Sequence, residues 1–460
     1  MLEHTVFQTN LYVTQKGKNY RPLEKDELKV FLAIMQINQS CTYRDCWSSH
    51  NKLRDQYISS LMSLKRFSWI LSHIHVNDNS LMPQKGNKCY DKLYKIRPLV
   101  NQLLTRFKEC YALTKEQSVD ECMVKFKGQI SFKQYMPQKP IKRGYKIWVR
   151  ADKMGYICDF EVYTGKSDGA VEKCLGERIV RDLCKGLEGK GCHIYFVNFF
   201  ASVPLSQTLK LYGILACGTV RAHRKGLPLL KPDKELRRGE SAWSVRSDGI
   251  VCMKWKDKRV TLLSTIDSPV TLKDVLRKEK DGTITKIPCP QIVKSYNSNV
   301  GCVDKADMMN SFHAIDRKSR FCWLRLFWHM IDISIGNAFI LFQLTKANEK
   351  KKLKEFRRCV VAGLVESSVF KDSPGHPSTS SEPCAKCVQL LFQWKNTQQN
   401  QNICQYMAHQ GDVYTATQKV IHIETDGYVL PAKLLCIYQQ KGTVLYPTTG
   451  KNEVNGGGLI

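Results

Sequence analysis

The stretch around which the rest of the chain can be arranged is His193-Ile194-Tyr195-Phe196-Val197-Asn198-Phe199-Phe200. Its first five residues form a short, mostly apolar run, and a run of that length suits a strand covered on both faces better than a helix. A valine also fits the end of a buried strand well. The stretch therefore predicts an interior strand of a sheet, with Val197 at its end.

Several neighbouring segments alternate between apolar and polar residues, which predicts further strands. The apolar members of these segments are Ile130 and Phe132, then Tyr145, Ile147 and Val149, then Tyr156, Cys158, Phe160 and Val162. A helix is predicted around residues 170–187. Strands and helices that follow one another over one sheet predict an α/β, or mixed α+β, layer architecture.

Two regions on either side of these strands have helical periodicity. Residues 20–114 carry three apolar stripes at helical spacing, and residues 321–342 place eight apolar side chains on one face. The second region contains Arg325, His329 and Asp332, which argues against a membrane span. We therefore expect no membrane partner.

The charge balance points to a polyanionic partner. The chain has 460 residues, enough for about two to four domains, and 43% of them are hydrophobic, which excludes wholesale disorder. Lysine and arginine total 71 against 42 aspartates and glutamates, a formal net charge of +29. Nucleic acid is the usual partner of such a chain, and a generic basic surface is the competing interpretation.

The first residues and the cysteines indicate in which compartment the protein is located. The first residues, Met1 to Thr5, lack the basic and apolar segments of a secretory signal, and 19 cysteines are scattered singly without framework spacing. This pattern favours free thiols in a reducing compartment. With the basic charge, it predicts a nuclear protein.

Two acidic segments complete a pattern with the opening stretch. They are Ser118-Val119-Asp120-Glu121 and Gly301-Cys302-Val303-Asp304-Lys305-Ala306-Asp307. Together with their flanking blocks (118–146, 194–228 and 295–329), these segments resemble the catalytic core of piggyBac-type DDE/DDD transposases. The resemblance covers residues 8–343.

The resemblance implies an RNase H-like core whose three aspartates hold two divalent metals, Mg²⁺ being suited to oxygen ligands. Carried over residue by residue, Asp120 is the first metal ligand, Asp304 the third and Asp307 an accessory acid. The second ligand falls on Val197, which cannot bind a metal. The resemblance thus implies a vestigial or absent magnesium site and a loss of catalysis.

The resemblance and the composition together divide the chain into six parts. These are a helical dimerisation and DNA-binding region (1–115), the first part of the RNase H-like core (116–223), a basic insertion (224–287), the second part of the core (288–365), a linker (366–383) and a degenerate cysteine-containing tail (384–460).

DNA binding does not require the missing carboxylate, because arginine and lysine contacts to phosphates supply most non-specific affinity. The candidate contacts are Arg143, Arg221, Arg224, Lys225, Lys256, Lys258, Arg259, Arg317, Lys318 and Arg320. Trp255 and Tyr145 have two possible roles, packing in the core or stacking on bases of the DNA.

The tail offers one further metal candidate. Cys384, Cys387, Cys404 and His409 supply four ligand types for a tetrahedral zinc site. The piggyBac-type family that the chain resembles typically ends in a cysteine-rich zinc domain with more ligands than this tail has. A degenerate tail with unligated thiols is therefore the alternative.

The sequence leads to a transposase-derived, nuclear, DNA-binding protein that lacks catalysis and takes no small-molecule substrate, with a homodimer left open. Two alternatives stay open: an active two-metal transposase or nuclease with a replacement ligand near Val197, and a non-catalytic scaffold remnant.

Overall fold

The structure is a computed structural model that describes residues 1–37, 42–165, 172–257, 260–316, 321–345 and 351–368. Its centre is one large mixed sheet, and a separate two-stranded hairpin lies beside it. The strands are β1 (Glu116–Lys125), β2 (Gln134–Tyr135), β3 (Arg143–Asp152), β4 (Ile157–Val162), β5 (His193–Phe196), β6 (Leu215–Thr219), β7 (Ser241–Val245), β8 (Val251–Trp255), β9 (Val260–Ser264), β10 (Leu272–Lys278) and β11 (Ile284–Pro290).

The order of the strands defines the architecture. The large sheet runs β2-β3-β1-β5-β6-β9-β8-β7, and β4 also pairs with β3. Strand β3 pairs antiparallel with both β1 and β4, whereas β5 pairs parallel with both β1 and β6. Three antiparallel strands followed by two parallel ones form an RNase H-like core, as predicted.

Helices cover both faces of this sheet and build a helical region before it. They are α1 (Leu2–Gln15), α2 (Lys25–Gln36), α3 (Gln56–Leu61), α4 (Leu64–His73), α5 (Arg97–Glu109), α6 (Leu175–Leu183), α7 (Val203–Leu211), α8 (Gln291–Asn299), α9 (Cys302–Ser311), α10 (Cys322–Thr345) and α11 (Leu353–Glu366). Local sequence explains several starts: a capping box between Glu24 and Glu27 opens α2, Ser63 caps α4, and Pro98 lies in the first turn of α5.

Helix α10 is the central element of the larger core. Within the described residues it is the one helix long and apolar enough to span a membrane, and 83% of its most apolar window is buried inside the protein. Aromatic side chains of α2 and α11 pack against it: the ring centroids of Phe31 and Trp328 are 6.0 Å apart, and those of Phe356 and Phe342 are 5.3 Å apart. The helix predicted over residues 321–342 is therefore confirmed as a core helix.

Two sequence-based element predictions need correction. Ile130 and Phe132 do not belong to a strand; they lie in a loop between β1 and β2, where both pack against the core around α10. Their alternation reflects two separate contacts rather than a pleated backbone. The helix predicted around residues 170–187 is shorter, because α6 begins at Leu175 and ends at Leu183.

The segment predicted as a basic insertion is more regular than its sequence indicates. Residues 224–287 supply β7, β8 and β9, which extend the central sheet from β6. They also supply β10 and most of β11, the separate hairpin. Trp255 is buried here, and its indole N–H donates to the Pro288 carbonyl at 3.0 Å. Trp255 and the fully buried Tyr145 are therefore core residues.

Candidate active site

The strand pairing places Val197 beside Asp120. Strands β1 and β5 run parallel, and their last registered pair joins Val119 to Phe196. The next residue along β1 is Asp120, and the next residue beyond β5 is Val197. Position 197 is therefore the neighbour of Asp120, just past the carboxyl end of β5 and beside the middle of β1.

Val197 belongs to an apolar environment. It is half-buried and packs against the cluster that contains Val119, Trp148, Phe196 and Phe200. Asn198 lies in the turn that follows, not in a strand, and it is exposed. The local packing is satisfied by a valine, so the fold has no need of an acid at this position.

Helix α9 brings the two later acids to β1. Asp304 lies in its first turn and is exposed, and Asp307 follows one turn later and is half-buried. Asp304 is close enough to Asp120 to raise the pKa of that carboxyl by repulsion. The three predicted acids therefore form one group, which we call the acidic pocket: Asp120, Asp304 and Asp307.

Burial dominates the electrostatics of Asp120. Removal from water, followed by repulsion from Glu121, raises its pKa to about 7, although the Lys139 ammonium acts in the opposite direction. Lys139 Nζ lies 3.6 Å from Asp120 Oδ2 and 3.4 Å from Glu121 Oε1. The other oxygen of Asp120, Oδ1, is buried without a hydrogen-bond partner among the described residues.

Behind the acidic pocket lies a buried contact between β1 and α10. Burial raises the pKa of Asp307 to about 6, and a hydrogen bond with the Cys122 thiol opposes this shift. Cys122 Sγ also lies 4.0 Å from His329 Nε2. Burial lowers the pKa of His329 to about 3, so its imidazole is neutral at physiological pH. Asp307 is thus bonded to a thiol that in turn lies beside a neutral imidazole.

A cation and two aromatic rings lie on the other face of β1. Lys146 Nζ is 3.7 Å from the centroid of the Trp148 ring, which stacks on Phe199 at 5.3 Å. Lys146 also lies 3.6 Å from Glu121 Oε2. Phe199 is 38% exposed, so this aromatic pair reaches the surface just past Val197.

The donor set does not fit the two metal ions that the resemblance implies. Two-metal chemistry needs several carboxylates that bridge and flank both ions. The unpartnered Asp120 Oδ1 and the nearby Asp304 could supply oxygens, but position 197 supplies only methyl groups, and Lys139 places a positive charge beside Asp120. Within the described residues, no three His, Cys, Asp or Glu side chains form a group able to hold a metal ion.

The predicted DNA contacts differ in their availability. Arg143, Arg221 and Lys225 are exposed. The guanidinium of Arg224 instead donates to the carbonyls of Asn198 and Phe199, at 2.8 and 3.0 Å, and thereby holds the turn after Val197. Lys256 Nζ donates to two backbone carbonyls, those of Asp233 and Leu236.

Several candidates lie outside the described residues. These are Lys258, Arg259, Arg317, Lys318 and Arg320, and the tail residues Cys384, Cys387, Cys404 and His409. None of the fourteen cysteines within the described residues forms a disulfide, and ten of them are buried.

The sequence did not single out Lys139, Cys122 or His329 as members of the site. Lys139 is 19 positions from Asp120, in a loop whose path no periodicity reveals, and His329 lies on a helix 207 positions from Cys122. The one available signal was the alternation along β1, which puts Asp120 and Cys122 on the same face.

The RNase H-like core that carries these acids is the fold of the transposases that this chain matches. A family model, Transposase IS4, matches residues 1–339, and the chain belongs to this family, in its piggyBac-type branch. A solved structure described as a piggyBac transposase synaptic complex with hairpin DNA has a similar fold. Its TM-score is 0.69 at 23% identity, over 84% of this chain and 86% of that one.

Human relatives share a common description. The chain is 30% identical over 392 residues to human piggyBac transposable element-derived protein 3. This match covers 82% of this chain and 64% of the relative. It is 28% identical over 395 residues to protein 2 of the same series, covering 82% and 65%, and 26% identical over 381 residues to protein 5, covering 76% and 70%. The chain thus spans about two thirds of the length of these relatives.

Proposed function

We propose that this transposase-derived protein binds DNA and has lost metal-dependent cutting and joining of DNA. The observation that carries the proposal is the register of β1 and β5, which puts Val197 beside Asp120. In a two-metal site, the metal ions stabilise the attacking and leaving oxygens of an in-line displacement at phosphorus. This chemistry depends on both ions being held in position. Without a carboxylate at 197, the acidic pocket has too few negative oxygens to hold both.

DNA binding is supported by three features that do not involve the acidic pocket. The chain has a formal net charge of +29. Arg143, Arg221 and Lys225 are exposed, so they are available to contact phosphates. One structural neighbour is described as a piggyBac transposase synaptic complex with hairpin DNA. A DNA partner also makes the nucleus the proposed location.

A plasmid-nicking assay tests the catalytic half of the proposal. A supercoiled plasmid is incubated with the full chain and Mg²⁺ or Mn²⁺, in parallel with Asp120→Ala. We expect the two proteins to give the same background of open circles, because neither holds two metals. Wild-type nicking above that of Asp120→Ala in either metal would show an active nuclease and contradict the proposal.

Fluorescence anisotropy with a labelled duplex tests the binding half. We expect the duplex to bind in low salt with EDTA present, because phosphate contacts need no metal. A protein that binds neither duplex nor single strand under these conditions would be a scaffold remnant instead.

A further inference from the structure

A deep groove lies on the side of the molecule where β1 ends. It has a volume of about 900 Å³ and lies between residues 90–96, the loop over residues 125–132 and the start of α10. That volume is in the range of well-formed ligand sites in proteins. Lys125, on its wall, is five residues along β1 from Asp120, about 17 Å at the rise of a strand. The groove is therefore separate from the acidic pocket.

The groove wall carries a strong excess of positive charge. Five cations line it, and Asp316 is the one acid among its described lining residues. Lys125 and Arg325 share Asp316, at 2.6 and 3.5 Å. The remaining cations are Lys92, which donates to the Thr164 carbonyl, and Lys95 and Lys127. Among the described residues no carboxylate lies within ion-pair distance of Lys95 or Lys127, so both ammonium groups are available to an anion.

Aromatic side chains line the same groove. Tyr90, Phe126 and Phe321 are half-buried in its wall. Trp323 also lines the wall, and only 7% of its surface is exposed. The indole Nε1 of Trp323 has no hydrogen-bond partner among the described residues. This N–H is itself buried, so what these four residues give the groove is an aromatic wall.

We propose that this groove binds an unpaired strand of DNA, with phosphates on Lys95 and Lys127 and a base against the aromatic wall at Trp323. The inference rests on the proposed DNA-binding function and names a separate site within it. Lysines that follow the backbone, together with aromatic rings that face the bases, are the combination by which proteins hold single strands without reading sequence.

The shape and chemistry of the groove favour an unpaired strand over a duplex. A duplex presents phosphates outward and keeps its bases stacked inside, so it would leave Tyr90, Phe126 and Trp323 without contacts. An unpaired strand turns its bases outward, which lets one base reach an apolar wall while neighbouring phosphates meet lysines. A free anion alone would use the lysines but not the rings.

The test compares a single strand with a duplex on the full chain. The probes are a fluorescein-labelled oligothymidylate of about 12 nucleotides, which has no pairing of its own, and a labelled duplex of equal length. The groove variant is Lys95→Ala/Lys127→Ala. The matched control, Lys18→Ala/Lys65→Ala, removes two exposed lysines that do not line the groove. We expect the groove variant to bind oligothymidylate about 10-fold more weakly and the control variant to change it less than about 2-fold.

A second variant, Trp323→Phe, keeps an aromatic ring and removes the unpaired N–H. We expect oligothymidylate to quench part of the tryptophan fluorescence of the wild type and that part to be lost in Trp323→Phe, whose folding is checked by circular dichroism. Equal oligothymidylate binding by groove and control variants, with duplex binding intact, would overturn the groove site alone. Failure to bind either probe would remove the proposed function as well. Tighter binding of oligouridylate than of oligothymidylate would overturn DNA as the ligand.

Discussion

At position 197 the exchange of a carboxylate for two methyl groups acts on charge more than on packing. The Val197 side chain packs against the apolar cluster that contains Val119, Phe196 and Phe200, an environment that suits a valine. An aspartate there would meet the same apolar neighbours and would add negative charge beside Asp120. In the absence of a metal, valine is therefore the more stable choice, and loss of metal binding would remove the reason for keeping an acid.

Val197→Asp should therefore convert the acidic pocket into a divalent metal site. We expect its melting temperature in EDTA to fall, with a loss of about 1–3 kcal/mol from burying a charge among apolar side chains. We also expect millimolar Mn²⁺ to raise its melting temperature and to leave that of the wild type unchanged, because a ligand that binds only the folded state stabilises it. Val197→Asn, which adds no charge, is the control. An equal Mn²⁺ effect on wild type would show that the pocket already holds metal.

Asp120 carries an electrostatic cost whose pH dependence can be measured. Its pKa in the folded protein is raised from 3.8 to about 7. Between these values the folded state binds more protons than the unfolded state, so the free energy of unfolding falls as pH rises, and the full cost is present above pH 7. Asp120→Asn should then be more stable than wild type at pH 8 in EDTA, by up to about 4 kcal/mol, and should lose that advantage near pH 4.

Thermal melts at the two pH values check this prediction, with Asp233→Asn as a control. Asp233 is a half-buried residue outside the acidic pocket, paired with Lys254 at 3.4 Å. A stability gain for Asp120→Asn that is the same at pH 4 and pH 8 would mean that the carboxylate charge is not its source.

At the scale of elements, a buried ion pair joins three helices of the larger core. Arg357 on α11 lies 3.1 Å from Asp332 on α10 and donates to Gln36 at the end of α2. Asp332 also accepts from the Ile315 amide at 2.9 Å. Burial raises the pKa of Asp332 to about 6, and Arg357 acts against that rise. The pair fixes how α11 packs on the body.

Arg357→Met should destabilise the protein by about 3–5 kcal/mol at pH 8, because it leaves the Asp332 carboxylate buried and unpaired. The loss should be smaller at pH 5, since Asp332 is then protonated and neutral. Chemical unfolding at the two pH values measures both. Asp332→Asn/Arg357→Met should recover part of the stability at pH 8, and an Arg357→Met loss that does not depend on pH would contradict this account.

Gly144 controls the pairing of β1 with β3. A Cβ at this position would overlap the Val124 carbonyl on the neighbouring strand, so any side chain must separate the two strands. Gly144→Ala should therefore lower the melting temperature sharply, with a cost of about 3 kcal/mol or more. Gly301→Ala is a matched control, because its Cβ would meet nothing within 4 Å and its φ is −84°. Equal melting temperatures for the two variants would refute the clash.

The sequence predicts elements well where burial repeats with a period. Helix α10 was predictable because its apolar side chains recur at helical spacing, and β3 because Tyr145, Ile147 and Val149 alternate. The loop with Ile130 and Phe132 was not, because two isolated core contacts imitate a strand. Within the site, the acids followed from the resemblance, whereas Lys139 depends on a loop path that only tertiary packing sets.

For the whole molecule, the +29 charge matters less than where its free cations lie. Arg221 is exposed, whereas Lys256 is held by the carbonyls of Asp233 and Leu236 and acts inside the fold. Each lysine or arginine that neutralises a phosphate releases about one counterion, so it adds about one to the slope of log affinity against log salt. Exposed and internally bonded cations should therefore have opposite effects on binding and stability.

Arg221→Ala should weaken binding of a duplex of about 30 base pairs and reduce its salt slope by about one, with an unchanged melting temperature. Lys256→Met should do the reverse: the slope stays, and the melting temperature falls because two partly buried carbonyls lose their donor. Anisotropy titrations between about 50 and 200 mM salt measure the slopes, and about five phosphate contacts would make wild-type affinity fall roughly 10²–10³-fold over that range. A reduced slope for Lys256→Met but not for Arg221→Ala would place the DNA on a different face of the protein.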